Sequence, residues 1–272
     1  MIDRTIQQTS VPALGFGTYQ LRGTACREAV ADALTLGYRH IDTAQAYRNE
    51  AEVGAALATS DVPRDDLFVT TKVWVDHLEP DTARRTTTQS LRDLQLDYVD
   101  LLLIHWPNED AAPLEATLDA LDALKDEGKT RHIGVSNFTP TLLQRAIDHT
   151  TLFCHQVEYH PFLSQDALLA QARSHDLLLT AYTPLARGEV LASGRLQAIG
   201  ERHGKTPAQV TLRWLVQQEQ VAAIPKASSA QHRKENIDIF DFSLSDEEMR
   251  AIHTLAAGQR LVDPAFAPNW ER

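Results

Sequence analysis

Eight short apolar runs recur along this chain, each followed by a stretch with helical spacing before the next begins. The runs are LGFGTY (14–19), YRHIDTA (38–44), LFVTTKVW (67–74), YVDLLLIHW (98–106), TRHIGVSNF (130–138), TLFCHQVEYH (151–160), LLLTAYTPL (177–185) and VAAIPKA (221–227). Helical character falls between them on 25–36, 49–60, 80–94, 114–127, 140–149, 164–175 and 206–218, and 230–237 and 245–257 close the pattern. Gly37 reads as a C-terminal stop for the first helix and Asn49 as an N-cap for the second. Parallel strands need helical crossovers, and strands covered on both faces become continuously apolar, as in DLLLIHW and VAAIPKA. Eight such units predict one α/β domain over 1–272, a (β/α)8 TIM barrel with an additional C-terminal helix and tail. A doubly wound open sheet is the structural alternative. No Pro/Gly/Ser-rich linker divides the chain.

Charge and cysteine content narrow the partners. Lys and Arg number 26 against 37 Asp and Glu, a net charge of −11, so a polyanion or an anionic membrane is a poor partner. Cys26 and Cys154, the two cysteines, cannot build a disulfide framework or a thiolate metal site. MIDRTIQQTS at the start lacks the apolar core of a secretion signal, and no apolar stretch reaches bilayer-spanning length. The expectation is a cytoplasmic monomer acting on a small molecule, with no metal, nucleic acid or membrane.

A barrel places its chemistry at the C-terminal ends of the strands. Polar residues interrupt the apolar runs at that end: Asp42, Lys72, His105, Asn137, Gln156, Glu158, Tyr182 and Lys226, with Tyr47 in the loop after Asp42. Any one of them is most simply a cap or loop anchor. Eight together are hard to explain so, because buried charge is costly unless paired. There is no GxGxxG, GxxxxGK[ST], HExxH or GxSxG, and no tyrosine has a lysine four residues on.

GYRHIDTAQAYRNEAEVG (37–54), TTKVW (70–74), YVDLLLIHWP (98–107), IGVSNF (133–138), QVEYHP (156–161), AYTPLARG (181–188) and IPKASSAQHRKEN (224–236) occur in that order. Together they resemble the aldo-keto reductases over nearly the whole chain. The tail RLVDPAFAPNW (260–270) resembles the short bacterial branch of 2,5-diketo-D-gluconate reductases, B type. The resemblance implies a (β/α)8 oxidoreductase that transfers hydride from a nicotinamide cofactor to a carbonyl.

The family's catalytic positions fall on Asp42, Tyr47, Lys72 and His105. Tyr47 would donate a proton to the carbonyl oxygen, and Lys72 would lower its pKa from the free value of about 10. Asp42 would hold Lys72 charged, and neutral His105 would bind the carbonyl oxygen. Ser136, Asn137 and Gln156 match residues that bond the nicotinamide carboxamide, Tyr182 the aromatic that stacks on its ring, and Thr18 and Asp42 border that end. Leu185, Arg187 and Gly188 fall in the loop over the pyrophosphate, Lys226 and Ser228 beside the adenosine ribose, Glu235 and Asn236 at the adenine. Without the resemblance, Glu235 and Asn236 would be ordinary solvated helix residues. Tyr19, Trp74, His105, Trp106 and Trp270 would wall the substrate pocket, although such aromatics equally suit rim packing.

The loop after His105 is short, running from Trp106 to about Pro113, which favours small polar carbonyls: methylglyoxal-like dicarbonyls, diketo sugar acids and aromatic aldehydes. His232 stands where NADPH-specific members often carry an arginine toward the 2′-phosphate, with Arg233 pointing elsewhere on a helix. NADPH is therefore the expected cofactor, with NADH also accepted. Two other readings remain: a metal-dependent barrel isomerase or hydrolase using His105, Glu158 and His160, and a non-catalytic nicotinamide-binding sensor.

Overall fold

The computed structural model describes residues 2–270. A two-stranded antiparallel hairpin comes first, β1 (Asp3–Ile6) and β2 (Thr9–Pro12). Eight strands then form one parallel sheet: β3 (Phe16–Gly17), β4 (His40–Asp42), β5 (Phe68–Val73), β6 (Val99–Ile104), β7 (Thr130–Ser136), β8 (Cys154–Glu158), β9 (Leu178–Tyr182) and β10 (Val221–Ala223). They pair strictly in chain order. The ends of that order meet through a parallel bridge between Leu14 and Ala223. Gly15 N donates to Ala223 O at 2.8 Å, Ala223 N to Ala13 O at 2.8 Å and Gly17 N to Pro225 O at 3.1 Å. The sheet is thereby closed, which removes its edges and excludes the open doubly wound arrangement.

The helices are α1 (Gly23–Leu36), α2 (Glu50–Ala58), α3 (Pro80–Leu94), α4 (Leu114–Asp126), α5 (Pro140–His149), α6 (Asp166–Ser174), α7 (Gly194–His203), α8 (Pro207–Gln217), α9 (Ala230–Ile237) and α10 (Asp246–His253). Their starts follow local chemistry. Proline opens α3, α5 and α8, and Thr206 with Gln209 forms a reciprocal capping box at α8. Gly37 ends α1 in the left-handed conformation, at φ 103°. Asn49 precedes α2 but does not cap it. Its buried amide instead donates to Thr18 O at 2.9 Å and Leu21 O at 3.1 Å and accepts from Thr43 Oγ1, tying the first two βα loops together.

Two elements leave little trace in the sequence. The hairpin turns through Gln7 (φ 46°) and Gln8 (φ 67°), where a two-residue turn normally calls for Asn or Gly. Tertiary contacts hold it: Gln7 N donates to Asp176 Oδ2, and Gln7 Nε2 to Leu152 O. Its Ile6 and Val11 pack with Phe68, Leu101, Leu103, Phe153, Cys154, Leu178 and Ala222, so the hairpin closes one end of the barrel interior. The other element, α7, contains two glycines that weaken its helical signal. Among the described residues no helix is long and apolar enough to cross a membrane.

The barrel wall is tightest at Gly134 in β7. A Cβ there would lie 2.4 Å from the Cys154 carbonyl oxygen and 2.8 Å from a Leu103 methyl. Backbone cannot retreat as a flexible side chain can, so we expect Gly134→Ala to lower the unfolding free energy by about 1–3 kcal/mol. Urea unfolding midpoints of the two proteins measure this, and equal midpoints would contradict the packing argument.

Candidate active site

The apolar strands place a wholly buried cation at the open end of the barrel. Lys72, late in β5, is 0% exposed. Its Nζ donates to Asp42 Oδ1 at 2.6 Å and to Thr43 O at 2.8 Å. Asp42 ends β4, and its second oxygen, Oδ2, accepts from Gln156 Nε2 of β8 at 2.8 Å. The Asp42 backbone oxygen accepts from both the amide and the hydroxyl of Thr18. A buried ion pair persists when further hydrogen bonds support both partners, as Thr43 O does for Lys72 and Gln156 and Thr18 do for Asp42.

Tyr47 ends a 3-10 turn, Gln45–Tyr47, which Arg48 breaks in a left-handed conformation. Lys72 Nζ lies 5.1 Å from the centre of its ring. The ring is edge-on to His105 at 5.7 Å and tilted against Tyr19 at 5.1 Å. Enclosure by protein pushes the phenol well above its ordinary pKa, and the Asp42 carboxylate, Tyr182 and Tyr19 add to the effect. The net direction is upward, against the sequence expectation of a phenol lowered by Lys72. Lys72 is itself pushed down by burial, and Asp42 opposes that shift. His105, just past β6, is driven well below the ordinary imidazole pKa by burial and by the Lys72 charge, so the ring is neutral near pH 7. Its Nδ1 is sealed with no hydrogen-bond partner. The tautomer with the proton on Nε2 leaves only an acceptor unsatisfied there, not a donor.

Beside this group, Tyr182 OH donates to Asn137 Oδ1 at 2.6 Å. Asn137 Nδ2 donates to His105 O at 2.9 Å and to Ser136 Oγ at 3.0 Å. Ser136 and Gln156 are register partners on β7 and β8. Among the described residues, the Ser136 hydroxyl hydrogen and Gln156 Oε1 have no assigned protein partner. A donor next to an acceptor on neighbouring strands matches the C=O and NH2 of a primary carboxamide, so this donor set fits nicotinamide.

The other expected cofactor residues form separate groups. Leu185, Arg187 and Gly188 lie in the 3-10 segment Ala186–Ala192 and its entry, where Thr183, Ala186 and Arg187 hold positive φ beside Gly188. Such backbone is strained and tends to mark ligand clamps. Lys226 Nζ donates to Ser228 Oγ at 3.2 Å in front of α9, whose N-cap Ser229 accepts from His232 N at 3.1 Å. Lys226, Ser228, Ser229 and His232 are exposed, a cation and a helix N-terminus together, which suits a phosphate. Arg233 points away as expected: it is buried on Asp32 Oδ2 at 2.6 Å and on the Ala227 and Ser228 carbonyls. Glu235 accepts from Gln231 along the helix face, and Asn236 is buried where an exposed helix residue was the bland expectation.

The aromatics form a connected wall. Trp74 meets His105 at 5.3 Å and Phe266 at 5.6 Å, and Trp106 meets Phe266 at 5.6 Å and Trp270 at 6.2 Å. Tyr19 is 56% exposed at the rim. Sequence reasoning missed Phe266, the ring joining the two tryptophans, although it stands in the tail that carries Trp270. It also missed Arg260, which stacks 3.6 Å over the Trp270 ring. The metal-site alternative fails on its donors: Glu158 is engaged by His160 Nε2, Leu261 N and Val262 N, and among the described residues no group of three or more His, Cys, Asp or Glu side chains comes together to hold an ion.

Residues 13–257 match the Aldo/keto reductase family. The chain is 40% identical over 267 residues to Methylglyoxal reductase DkgB of Escherichia coli O157:H7, covering 96% of this chain and all of that protein. It is 43% identical over 256 residues to an aldo-keto reductase of Mycobacterium marinum, covering 93% and 91%. Among solved structures, a candidate 2,5-diketo-D-gluconic acid reductase B superposes with a TM-score of 0.96 at 46% identity, covering 99% and 97% of the two chains. The aldose reductase of Schistosoma japonicum superposes at 0.92 with 34% identity, covering 98% and 96%.

Burial of histidines in this barrel has a consequence for acid stability. His155 in β8 is buried, accepts from Phe138 N at Nε2 and is held down to about 3 by desolvation. Unfolded, it takes up its proton near pH 6.5. The unfolded state therefore binds the proton first, and stability is lost as pH falls from about 6.5 toward 3. We expect this residue alone to remove about 1.4 kcal/mol per pH unit across that window, with His40 and His105 adding in the same direction. Urea unfolding at pH 7 and pH 5 tests it, and stability that is flat between them would rule the account out.

Proposed function

The chain belongs to the aldo/keto reductase family, and on that premise we propose that it reduces small aldehydes, ketones and dicarbonyls with NADPH, and accepts NADH as well. The observation that carries this reading is Lys72: a fully buried ammonium, paired at 2.6 Å with Asp42, set 5.1 Å from the Tyr47 ring, with neutral His105 on that ring's edge.

A reduced nicotinamide, when bound, would supply hydride to the carbonyl carbon. Ser136, Asn137 and Gln156 would hold its carboxamide, Tyr182 its ring, Leu185, Arg187 and Gly188 the pyrophosphate, and Lys226, Ser228, His232, Glu235 and Asn236 the adenosine end. As negative charge grows on the carbonyl oxygen, Tyr47 gives it a proton. The raised phenol pKa keeps that proton in place across the neutral range, so the acid is always loaded. Lys72 then stabilises the phenolate left behind, and Asp42 keeps Lys72 charged against its burial. Neutral His105 donates its other ring N–H to the same oxygen and orients the substrate. Tyr19, Trp74, Trp106, Phe266 and Trp270 wall the pocket. The short loop after His105 leaves it open, which favours compact polar carbonyls such as methylglyoxal or a 2,5-diketo sugar acid. The names of the similar proteins support the same classes.

Steady-state turnover of methylglyoxal and 2,5-diketo-D-gluconate tests the proposal. Tyr47→Phe should lower kcat by roughly 10²–10⁴-fold, the usual contribution of a positioned acid. NADPH affinity, read by quenching of protein fluorescence, should hardly change. A variant that keeps most of its turnover sinks the role.

The adenosine end gives a second outcome. His232 is exposed beside Lys226 and Ser228 and offers at best one neutral donor where an arginine would offer a charged fork. NADPH should be preferred modestly, and His232→Arg should raise its preference over NADH by roughly 10–150-fold, the worth of a charge-assisted hydrogen bond. Wild-type protein already more than about a thousandfold selective would mean that another residue reads the phosphate.

A further inference from the structure

Glu158 and His160 take no part in the chemistry above, yet both are fully buried at the C-terminal end of β8. His160 Nδ1 accepts from Phe162 N at 3.3 Å, which places the ring proton on Nε2, and Nε2 donates to Glu158 Oε1 at 3.0 Å. The same carboxylate accepts from Leu261 N at 2.7 Å through Oε1 and from Val262 N at 2.9 Å through Oε2. Three donors converge on one buried carboxylate, and two of them belong to the C-terminal segment. Among the described residues, no regular secondary structure follows α10, so this segment has no sheet or helix of its own to hold it. Ala257 N and Gln259 N on Phe162 O, and Gln259 Nε2 on Glu189 Oε2, complete its docking. Immediately beyond the clasped amides come Phe266 and Trp270, which close the aromatic wall over Trp74 and Trp106.

We propose that Glu158 is a positioning residue for the substrate pocket: its carboxylate, oriented by His160, clasps the Leu261 and Val262 amides and seats the segment that carries Phe266 and Trp270. A charged acceptor makes hydrogen bonds about twice as strong as a neutral one, and a buried one left without donors is heavily penalised. The clasp therefore holds the wall closed without any contact to substrate. This rests on the carbonyl-reductase reading for its kinetic consequence, but not for its structural one.

The test uses the full-length protein. Glu158→Gln keeps the shape and presents an NH2 to one of the two amides. Hydrogen exchange at residues 259–270 should speed up about ten- to hundredfold while the barrel strands keep their protection. KM for methylglyoxal should rise about tenfold or more, with kcat within about twofold. Val262→Pro, which removes the clasped N–H on Oε2 and spares Leu261, whose side chain packs on the barrel core, should give the same split and serves if Glu158→Gln fails to fold. In a full-length chain carrying Phe266→Ala and Trp270→Ala, the Glu158→Gln change should add no further rise in KM, because its lever is gone. Unchanged exchange at 259–270 in both variants overturns the proposal, as does an undiminished KM effect in the Phe266→Ala, Trp270→Ala background. A protein with no reductase activity whose tail exchange still rises would instead overturn the functional reading and leave the clasp standing.

Discussion

Everything at the mouth of this barrel depends on one buried ion pair. Lys72 cannot be solvated where it sits, so Asp42 must face it, and Asp42 in turn needs Gln156 and Thr18 to fill its remaining acceptors. Those four residues come from β4, β5, β8 and the end of β3, so satisfying the pair fixes how distant strands meet. The pair also sets the electrostatics around it. Burial keeps Tyr47 protonated, with the Asp42 carboxylate adding to the effect, and burial together with the ammonium keeps His105 neutral. In the proposed reduction, that protonated phenol and neutral imidazole would be the two donors offered to the developing alkoxide.

The closure of the sheet is the second constraint. Only the bridge at Leu14 and Ala223 brings the first strand beside the last, and with it Thr18 and Lys226 onto the same rim. An open sheet would have left those residues at opposite edges. Closure also creates an interior that needs a floor, and the hairpin with Ile6 and Val11 provides it. The polar and apolar demands are thereby separated along the barrel axis, apolar packing at the hairpin end and paired charge at the mouth.

The upper wall is made differently from the barrel. Trp74 and Trp106 follow directly from strands β5 and β6, whereas Phe266 and Trp270 arrive on a segment without regular structure. Its position is set by side-chain acceptors, Glu158 above all, and by the Phe162 carbonyl. The rigid half of the pocket thus comes from the fold, and the adjustable half from a few hydrogen bonds.

The alternation of apolar runs and helical stretches by itself determined a parallel α/β fold, because parallel strands covered on both faces cannot be written otherwise; closure into a barrel, rather than an open sheet, was decided by the pairing of Leu14 with Ala223. The polar residues that break those runs at one end, Asp42, Lys72, His105 and Gln156, were legible for the same reason: a charge in an apolar strand needs a partner. The hairpin through Gln7 and Gln8 and the helix at Gly194–His203 were not, since their turn and helix residues carry the wrong local preference and long-range contacts override it. Asn49 looked like a helix cap because that is its local habit, and only the adjacent loops of β3 and β4 redirected its amide. The direction of the Tyr47 shift was likewise beyond the sequence. It turns first on how completely the folded chain encloses the phenol, and then on the Asp42 carboxylate, Tyr182 and Tyr19, residues brought beside it from three other segments. Phe266 and the Glu158 clasp belong to the same class: a hydrogen bond between residues 103 positions apart has no local signature, so only the folded chain could place it.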